Sequence, residues 1–315
     1  MSERRGGTSN RWAILLLAGA IALLPAFLPN SFYFDLAIKA MLNALVCIGL
    51  NLMIGYAGQI SLGHAAFFAI GGYASAALVA GAGLPAPLAL VAGAGMSALV
   101  AFVVGRPILR LKGHYLAMAT LGFGIILHTV FMRETGLTGG PDGRIVPAFA
   151  VGALRLTRLE HWYWLVGGAL VLGVVVARLL VDSAFGRALR GLHDAEAAVS
   201  AVGVDVAAIK VRVFVISAVY ASVAGSLFAH VERFITPGES GFIRSIEFVT
   251  MVVLGGMAST FGAIAGAAVL TVLTQVSATF ADYKHIVLGT ILVFTMAVMP
   301  AGIVPTLART FSRRK

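Results

Sequence analysis

Long apolar runs, recurring from one end of the chain to the other, limit what this sequence can fold into. A helix that crosses a bilayer needs about 20 mostly apolar residues, because lipid offers the backbone no hydrogen-bond partners. Ten candidates are legible: 12–29, 36–54, 60–82, 86–105, 114–132, 162–181, 211–230, 246–258, 262–280 and 285–303. Gly, Pro or charge clusters separate most of them. Composition agrees, since only 11% of the 315 residues are charged, against about 25% in soluble domains. A globular chain with so little charge could not cover its surface with groups that suit water. Lipid must do the covering. The 59% hydrophobic content and mean hydropathy of +0.96 also exclude disorder. The single cysteine, Cys47, lies inside an apolar run and can form no intrachain disulfide.

The net charge of +10 suggests a nucleic-acid binder only until the charges are placed along the chain. With the N-terminus inside, ten crossings leave fourteen basic residues in cytoplasmic segments: Arg4, Arg5, Arg11, Arg106, Arg110, Lys112, Arg187, Arg190, Lys210, Arg212, Arg309, Arg313, Arg314 and Lys315. Eight fall outside: Lys39, Arg133, Arg144, Arg155, Arg158, Arg233, Arg244 and Lys284. Basic residues favour the cytoplasmic side, so both termini are expected there. The expected organisation is a cytoplasmic tail (1–11), a single transmembrane domain (12–303) and a basic cytoplasmic tail (304–315). The domain carries a cytoplasmic loop at 182–212 and an external loop at 133–161. Segment 246–258 is short and could be broken or re-entrant, but dropping it would put the basic tail outside. Arg4 and Arg5 before an apolar run resemble a signal peptide. Leu24–Pro29 makes a poor cleavage site, so an uncleaved first helix is expected.

The spans carry few ionisable groups. Asp35 and Glu247 stand at span starts, and the other acids fall almost entirely in loops or at helix ends. Proton- or sodium-coupled carriers usually need intramembrane carboxylates, although backbone carbonyls can also hold sodium. No HExxH is present for a metalloprotease, and no GxxxxGK[ST] for binding and splitting ATP. Ser61 stands near His64, but nothing orients the pair as a nucleophile and base. Two side chains hydrogen-bonded between helices are the preferred reading. No catalytic residue and no metal ligand set is assigned.

Small residues recur every four positions in Ala89, Gly93, Ser97, Ala101 and Gly105, in Ser217, Ala221, Gly225 and Ala229, and in Ala258, Gly262 and Gly266. That spacing places each set on one helix face, where backbones can approach closely. A tight bundle is expected. Two glycine-interrupted polar segments, Gly55–His64 and Gly255–Gly262, lie in opposite halves. Such pairs point to a midplane substrate site in repeat-built transporters, or are simply tight turns. Thr138–Gly143 (TGGPDG) has turn chemistry. In the loop after span six, Asp194 can cap a short helix with Ala195, Ala198, Val199 and Val202 on one face and Gly203 at its end. Such a face packs on its own bundle, lies in the lipid interface, or receives a cytoplasmic partner.

Together, Gly55–Tyr73 (GYAGQISLGHAAFFAIGGY), Thr138–Gly143, Gly186–Gly203 with its Glu196-Ala197-Ala198 core, and Val252–Gly266 (VVLGGMASTFGAIAG) resemble the membrane-spanning subunits of branched-chain amino acid ABC importers. The resemblance covers nearly the whole chain. It implies an all-α polytopic permease that moves leucine, isoleucine, valine or related amino acids across the bacterial inner membrane by alternating access. It also implies partners: cytoplasmic ATP-binding subunits, a second homologous permease and an external solute-binding protein. On this resemblance 186–203 is the coupling helix, with Gly186, Arg187, Arg190, Asp194, Glu196, Ala197, Ala198 and Gly203 as its candidate residues. Four residues separate Ala198 from Gly203, longer than the general ABC importer pattern. No cofactor is expected in this chain, since ATP and magnesium would belong to the ATPase. Asn51, Gln59, Ser61 and His64 are the candidates to line an otherwise apolar substrate path. The competing reading is a self-contained channel or secondary carrier for small neutral solutes, which has no need of a capped, arginine-flanked loop.

Overall fold

The computed structural model describes residues 6–151 and 154–277, with the single positions 289, 290, 302 and 306. Otherwise the last expected crossing, 285–303, and the basic tail lie outside the described residues. Each earlier apolar run is mainly helical over its described residues. Among the described residues six helical segments are long and apolar enough to cross a membrane. They are α2 (Ser31–Asn51, continued by a wide turn to Tyr56), α3 (His64–Ala82), α4 (Ala86–Ile108), α5 (His114–Arg133), α7 (Leu159–Asp182) and α10 (Val206–Glu232). α1 (Gly6–Leu23) and α12 (Thr260–Ser277) are shorter. α11 (Phe242–Gly255) has 14 residues, about 21 Å at 1.5 Å per residue, against a hydrocarbon core of about 30 Å. Its shortness follows from Gly255 and Gly256, which end it where 246–258 reads as one run.

α3, α4 and α10 form the tightest part of the bundle. The buried residues of α4 are Ala86 and the five-member stripe Ala89, Gly93, Ser97, Ala101 and Gly105. On α10, Ser217, Ala221, Gly225 and Ala229 are likewise buried. A Cβ built on Gly225 would stand 1.8 Å from the Phe68 carbonyl oxygen, and one on Gly71 2.0 Å from that of Ser222. The backbones of α3 and α10 therefore touch, which gains dispersion contact that lipid cannot displace. The third small-residue set behaves differently. Gly262 and Gly266 do pack on the backbone of α11, but Ala258 sits in the turn before α12 with φ of +58°.

Polar side chains pin these helices where hydrocarbon would leave them unpaired. His64 Nδ1 is 2.9 Å from Ser61 Oγ, and its Nε2 is 2.6 Å from Ser217 Oγ on α10. One level further along, Ser75 Oγ meets His230 Nε2 at 2.9 Å. The Tyr220 hydroxyl donates to the Gly173 carbonyl at 2.7 Å, tying α10 to α7.

After α5, a short helix α6 (Thr135–Thr138) leads into the turn Gly140–Asp142. The Thr138 hydroxyl donates to the carbonyls of Phe131 and Glu134, and the Arg144 guanidinium donates to those of Gly136 and Leu137. β1 (Arg144–Ile145) then pairs antiparallel with β4 (Phe234–Ile235), Arg144 opposite Ile235. β2 (Ala150–Val151) and β3 (Leu154–Arg155) make a second small ladder. The TGGPDG segment is thus a braced turn that joins the end of α5 to the end of α10.

Ionic groups are drawn inward at that end. Arg244 on α11 has its Nε 3.2 Å from Glu239 and its Nη1 2.9 Å from Glu247. Its Nη2 donates to Asn43 Oδ1 at 3.0 Å, while Asn43 Nδ2 donates to Thr271 Oγ1 at 2.9 Å. α2, α11 and α12 are thereby locked by one guanidinium, which also lies over the Phe248 ring at 4.7 Å. Glu247, which the sequence leaves at the mouth of a span, is a structural counter-ion.

Candidate functional site: the helix pair at 183–205 and the glycine segments

Residues 183–205 form two helices rather than the single capped one expected. Ser183 caps α8 (Ala184–Asp194), its Oγ accepting from the Phe185 amide at 3.2 Å. α8 buries Gly186, Leu189 and Leu192 and exposes Arg187 and Arg190. Asp194 ends α8 instead of capping the next helix. Ala195, extended at φ −157°, breaks the helix, and α9 (Glu196–Ala201) begins after it without a side-chain cap. An α8 already buried along one side must end before the chain can turn, so the break falls where its last buried residue, Leu192, has been passed.

α9 leaves most of its apolar surface unpacked. Ala195, Ala197, Ala198 and Ala201 are exposed, Val202 is 76% exposed, and only Val199 turns in against Gly191. Gly203, at φ +82°, has open space around it. Glu196 points the other way. Its carboxylate lies 3.0 Å from Lys210 Nζ and 3.8 Å from Lys112 Nζ. The Lys210 side chain is only 3% exposed. Glu196 therefore fastens α9 to α10, and the alanines beside it form the accessible face. Lys210, which the sequence assigns to a loop, lies in the second turn of α10. A Lys and a Glu 14 positions apart carry no periodic signal, so only the fold pairs them.

The two glycine-interrupted segments meet. Asn51 at the end of α2 is buried, and its Oδ1 accepts from the Ala258 amide at 3.0 Å. A Cβ on Gly55 would stand 2.2 Å from that oxygen and 2.3 Å from the same amide nitrogen. Residues 55 and 258, from opposite halves of the chain, are thus in direct backbone contact. On its other side the first segment touches α8: a Cβ on Gly58 would lie 2.8 Å from His193 Nδ1. Of the four path candidates, Asn51 bridges the segments, while Ser61 and His64 are buried in the contact to α10. Gln59 is half-exposed and donates to the Ala57 carbonyl at 3.2 Å. The structure brings Ser61 and His64 together, and places Asn51 with Ala258.

Replacing Asn51 by Ala is expected to remove the acceptor of the part-buried bond from the Ala258 amide. Such a loss costs about 0.5–1.5 kcal/mol and is read as a lowered melting temperature in detergent, with Gln59→Ala close to wild type.

The sequence matches the family described as branched-chain amino acid transport system / permease component over residues 32–296. That is most of the chain. The chain belongs to this permease family. The permease is 32% identical to the high-affinity branched-chain amino acid transport system permease protein LivM of Salmonella typhimurium, over 95% of its own length and 76% of that protein's. The likeness to LivM of Escherichia coli has the same identity and coverage. It is also 27% identical to LivH of Salmonella typhimurium, over 82% of this chain and 90% of that one. No solved structure gives a match. The family is a transport component and not an enzyme, and its apolar helices make the permease a multi-pass membrane protein.

Proposed function

We propose that the permease moves branched-chain amino acids (leucine, isoleucine, valine or close relatives) across the bacterial inner membrane by alternating access, with ATP hydrolysed on separate subunits. The likeness to LivM along 95% of the chain carries this reading. The exposed alanine face of α9, flanked by Arg187 and Arg190 on α8, supports a cytoplasmic ATPase docking there. Gly186, Arg187, Arg190, Asp194, Glu196, Ala197, Ala198 and Gly203 make up that coupling region. Within it the exposed alanines present the contact and Glu196 holds it to the bundle. A push on α8 would reach Gly58 through His193, and from there the Asn51–Ala258 contact, so energy has a packed route toward the candidate path of Asn51, Gln59, Ser61 and His64. ATP and magnesium belong to the ATPase in this reading, and the permease holds no cofactor.

Likeness to both LivM and LivH supports a pair of homologous permeases. An external solute-binding protein would deliver the solute on the face that carries the TGGPDG turn. Ten crossings with both termini cytoplasmic, in one domain over 12–303, fit the distribution of basic residues.

The test is uptake of labelled leucine into proteoliposomes holding the permease, its permease partner and the ATPase subunits, with binding protein outside and ATP inside. Uptake that needs both ATP and binding protein is expected. Uptake by this chain alone, indifferent to ATP, would instead establish a channel or carrier. Ala198→Arg places a bulky charge on the exposed face without touching the bundle. It is expected to weaken co-purification of the ATPase by roughly tenfold or more, as for a central contact residue, while membrane insertion is unchanged.

A further inference from the structure

A groove of about 800 Å³ lies apart from the coupling residues and the candidate path. It lies between the end of α4, the α7–α8 junction and the first turns of α10. Its walls are apolar, with Phe102, Leu180 and Ile216 among them, and its rim carries Arg106, Arg110 and Arg212. The three arginines share one level because α4 arrives where α10 departs: a Cβ on Gly105 would lie 2.9 Å from the Phe214 ring. All three are exposed, and among the described residues none forms an ion pair. Arg106 lies over the Phe102 ring at 4.2 Å. Among the described residues that line the groove the one acid, Asp205, caps α10 through the Ala208 amide at 3.0 Å.

We propose that this groove binds an anionic phospholipid, its phosphate among Arg106, Arg110 and Arg212 and an acyl chain along the outer face of α4. Charge complementarity and position choose this occupant. Guanidiniums pair with phosphate oxygens through several donors at once. Below the rim the groove reaches Phe102, 41% exposed, on a helix long and apolar enough to span the bilayer that also exposes Leu99 and Val103, 62% and 59%. A free phosphate gains nothing from those walls, whereas an acyl chain does. Stems of arginines at a helix end lie along apolar surface while their heads stay at the interface. The assignment needs only that α4 and α10 cross the membrane, so it stands apart from the solute and the ATPase.

The full chain in detergent, titrated with dioleoyl phosphatidylglycerol or dioleoyl phosphatidylcholine and followed by native mass spectrometry, tests it. Phosphatidylglycerol adducts are expected in preference to phosphatidylcholine. Each basic residue near an anionic bilayer surface contributes about fivefold, so Arg106→Gln/Arg110→Gln/Arg212→Gln is expected to weaken those adducts by roughly 100-fold. The triple Lys variant should keep most of the binding, and Arg187→Gln/Arg190→Gln on the neighbouring helix should keep all of it. Matching melting temperatures show that the variants are folded. Equal binding of both lipids, or adducts that survive the triple Gln change, would overturn the proposal. Displacement by millimolar inorganic phosphate would make the site one for a soluble anion. Loss of ATPase co-purification in the triple Gln variant with lipid adducts intact would give the groove to a protein partner. Either result overturns it.

Discussion

Replacing Gly225 by Leu is expected to abolish stable folding of the bundle. The added Cβ would meet the Phe68 carbonyl oxygen at 1.8 Å, and the next nearest atoms, at 2.6 and 3.0 Å, are also Phe68 backbone. No rotamer change relieves a clash with backbone, so α3 and α10 must separate. Overpacking a core costs typically 1–3 kcal/mol where side chains can adjust, and here about 3 kcal/mol or more is expected. Separation would also stretch the His64–Ser217 and Ser75–His230 contacts, which lie on either side of Gly225 along α10. Yield of monodisperse protein and its melting temperature report the outcome. Gly95→Leu and Gly168→Leu are the controls, since both positions are exposed with nothing within 4 Å of an added Cβ. Loss of stability at all three positions would show that glycine content, and not the α3–α10 approach, matters.

The second large effect is expected at Glu196. Glu196→Gln strips the buried Lys210 ammonium of its carboxylate, and breaking one side of a buried pair costs about 3–5 kcal/mol. Glu196 is itself 32% exposed, so solvent relieves part of this and the lower end is expected. Adding Lys210→Met should recover most of the loss, because an apolar side chain suits the site once no charge remains in it. The double-mutant cycle isolates the pair from the rest of the loop. Additive effects in the cycle would mean that the ion pair does not hold α9. With an ATPase docked on α9 as proposed, the ATPase subunits bound to the Glu196→Gln variant are also expected to hydrolyse ATP with poor coupling to uptake, whereas the double variant recovers stability first.

Much of the bundle is legible in the sequence because each helix is selected locally. A run of about 20 apolar residues has no other way to satisfy its backbone in lipid, and α2, α3, α4, α5, α7 and α10 agree with the expected runs within a few residues. The small-residue stripes of α4 and α10 are legible for the same reason, since four-residue spacing and one helix face are one fact. The third stripe fails at Ala258, where the chain turns through a left-handed conformation that spacing cannot show. The loop at 182–212 is partly legible. Its position, its arginines and its alanines all appear in the sequence, but the break at Ala195 does not, because Asp194 has the chemistry of a cap and only the burial of α8 decides that it is an end.

Short-range physics therefore accounts for what is readable residue by residue: the helices, their small faces, the TGGPDG turn and the permease family. Which polar groups face which is settled by packing instead. Lys210 meets Glu196, Arg244 gathers Glu239, Glu247 and Asn43, and Asn51 takes the amide of Ala258 some 207 positions away. These pairings depend on how helices cross, and a polar side chain in a membrane bundle takes whichever partner the packing delivers. Its cost of staying unpaired is known from its chemistry, while the identity of its partner is a property of the fold.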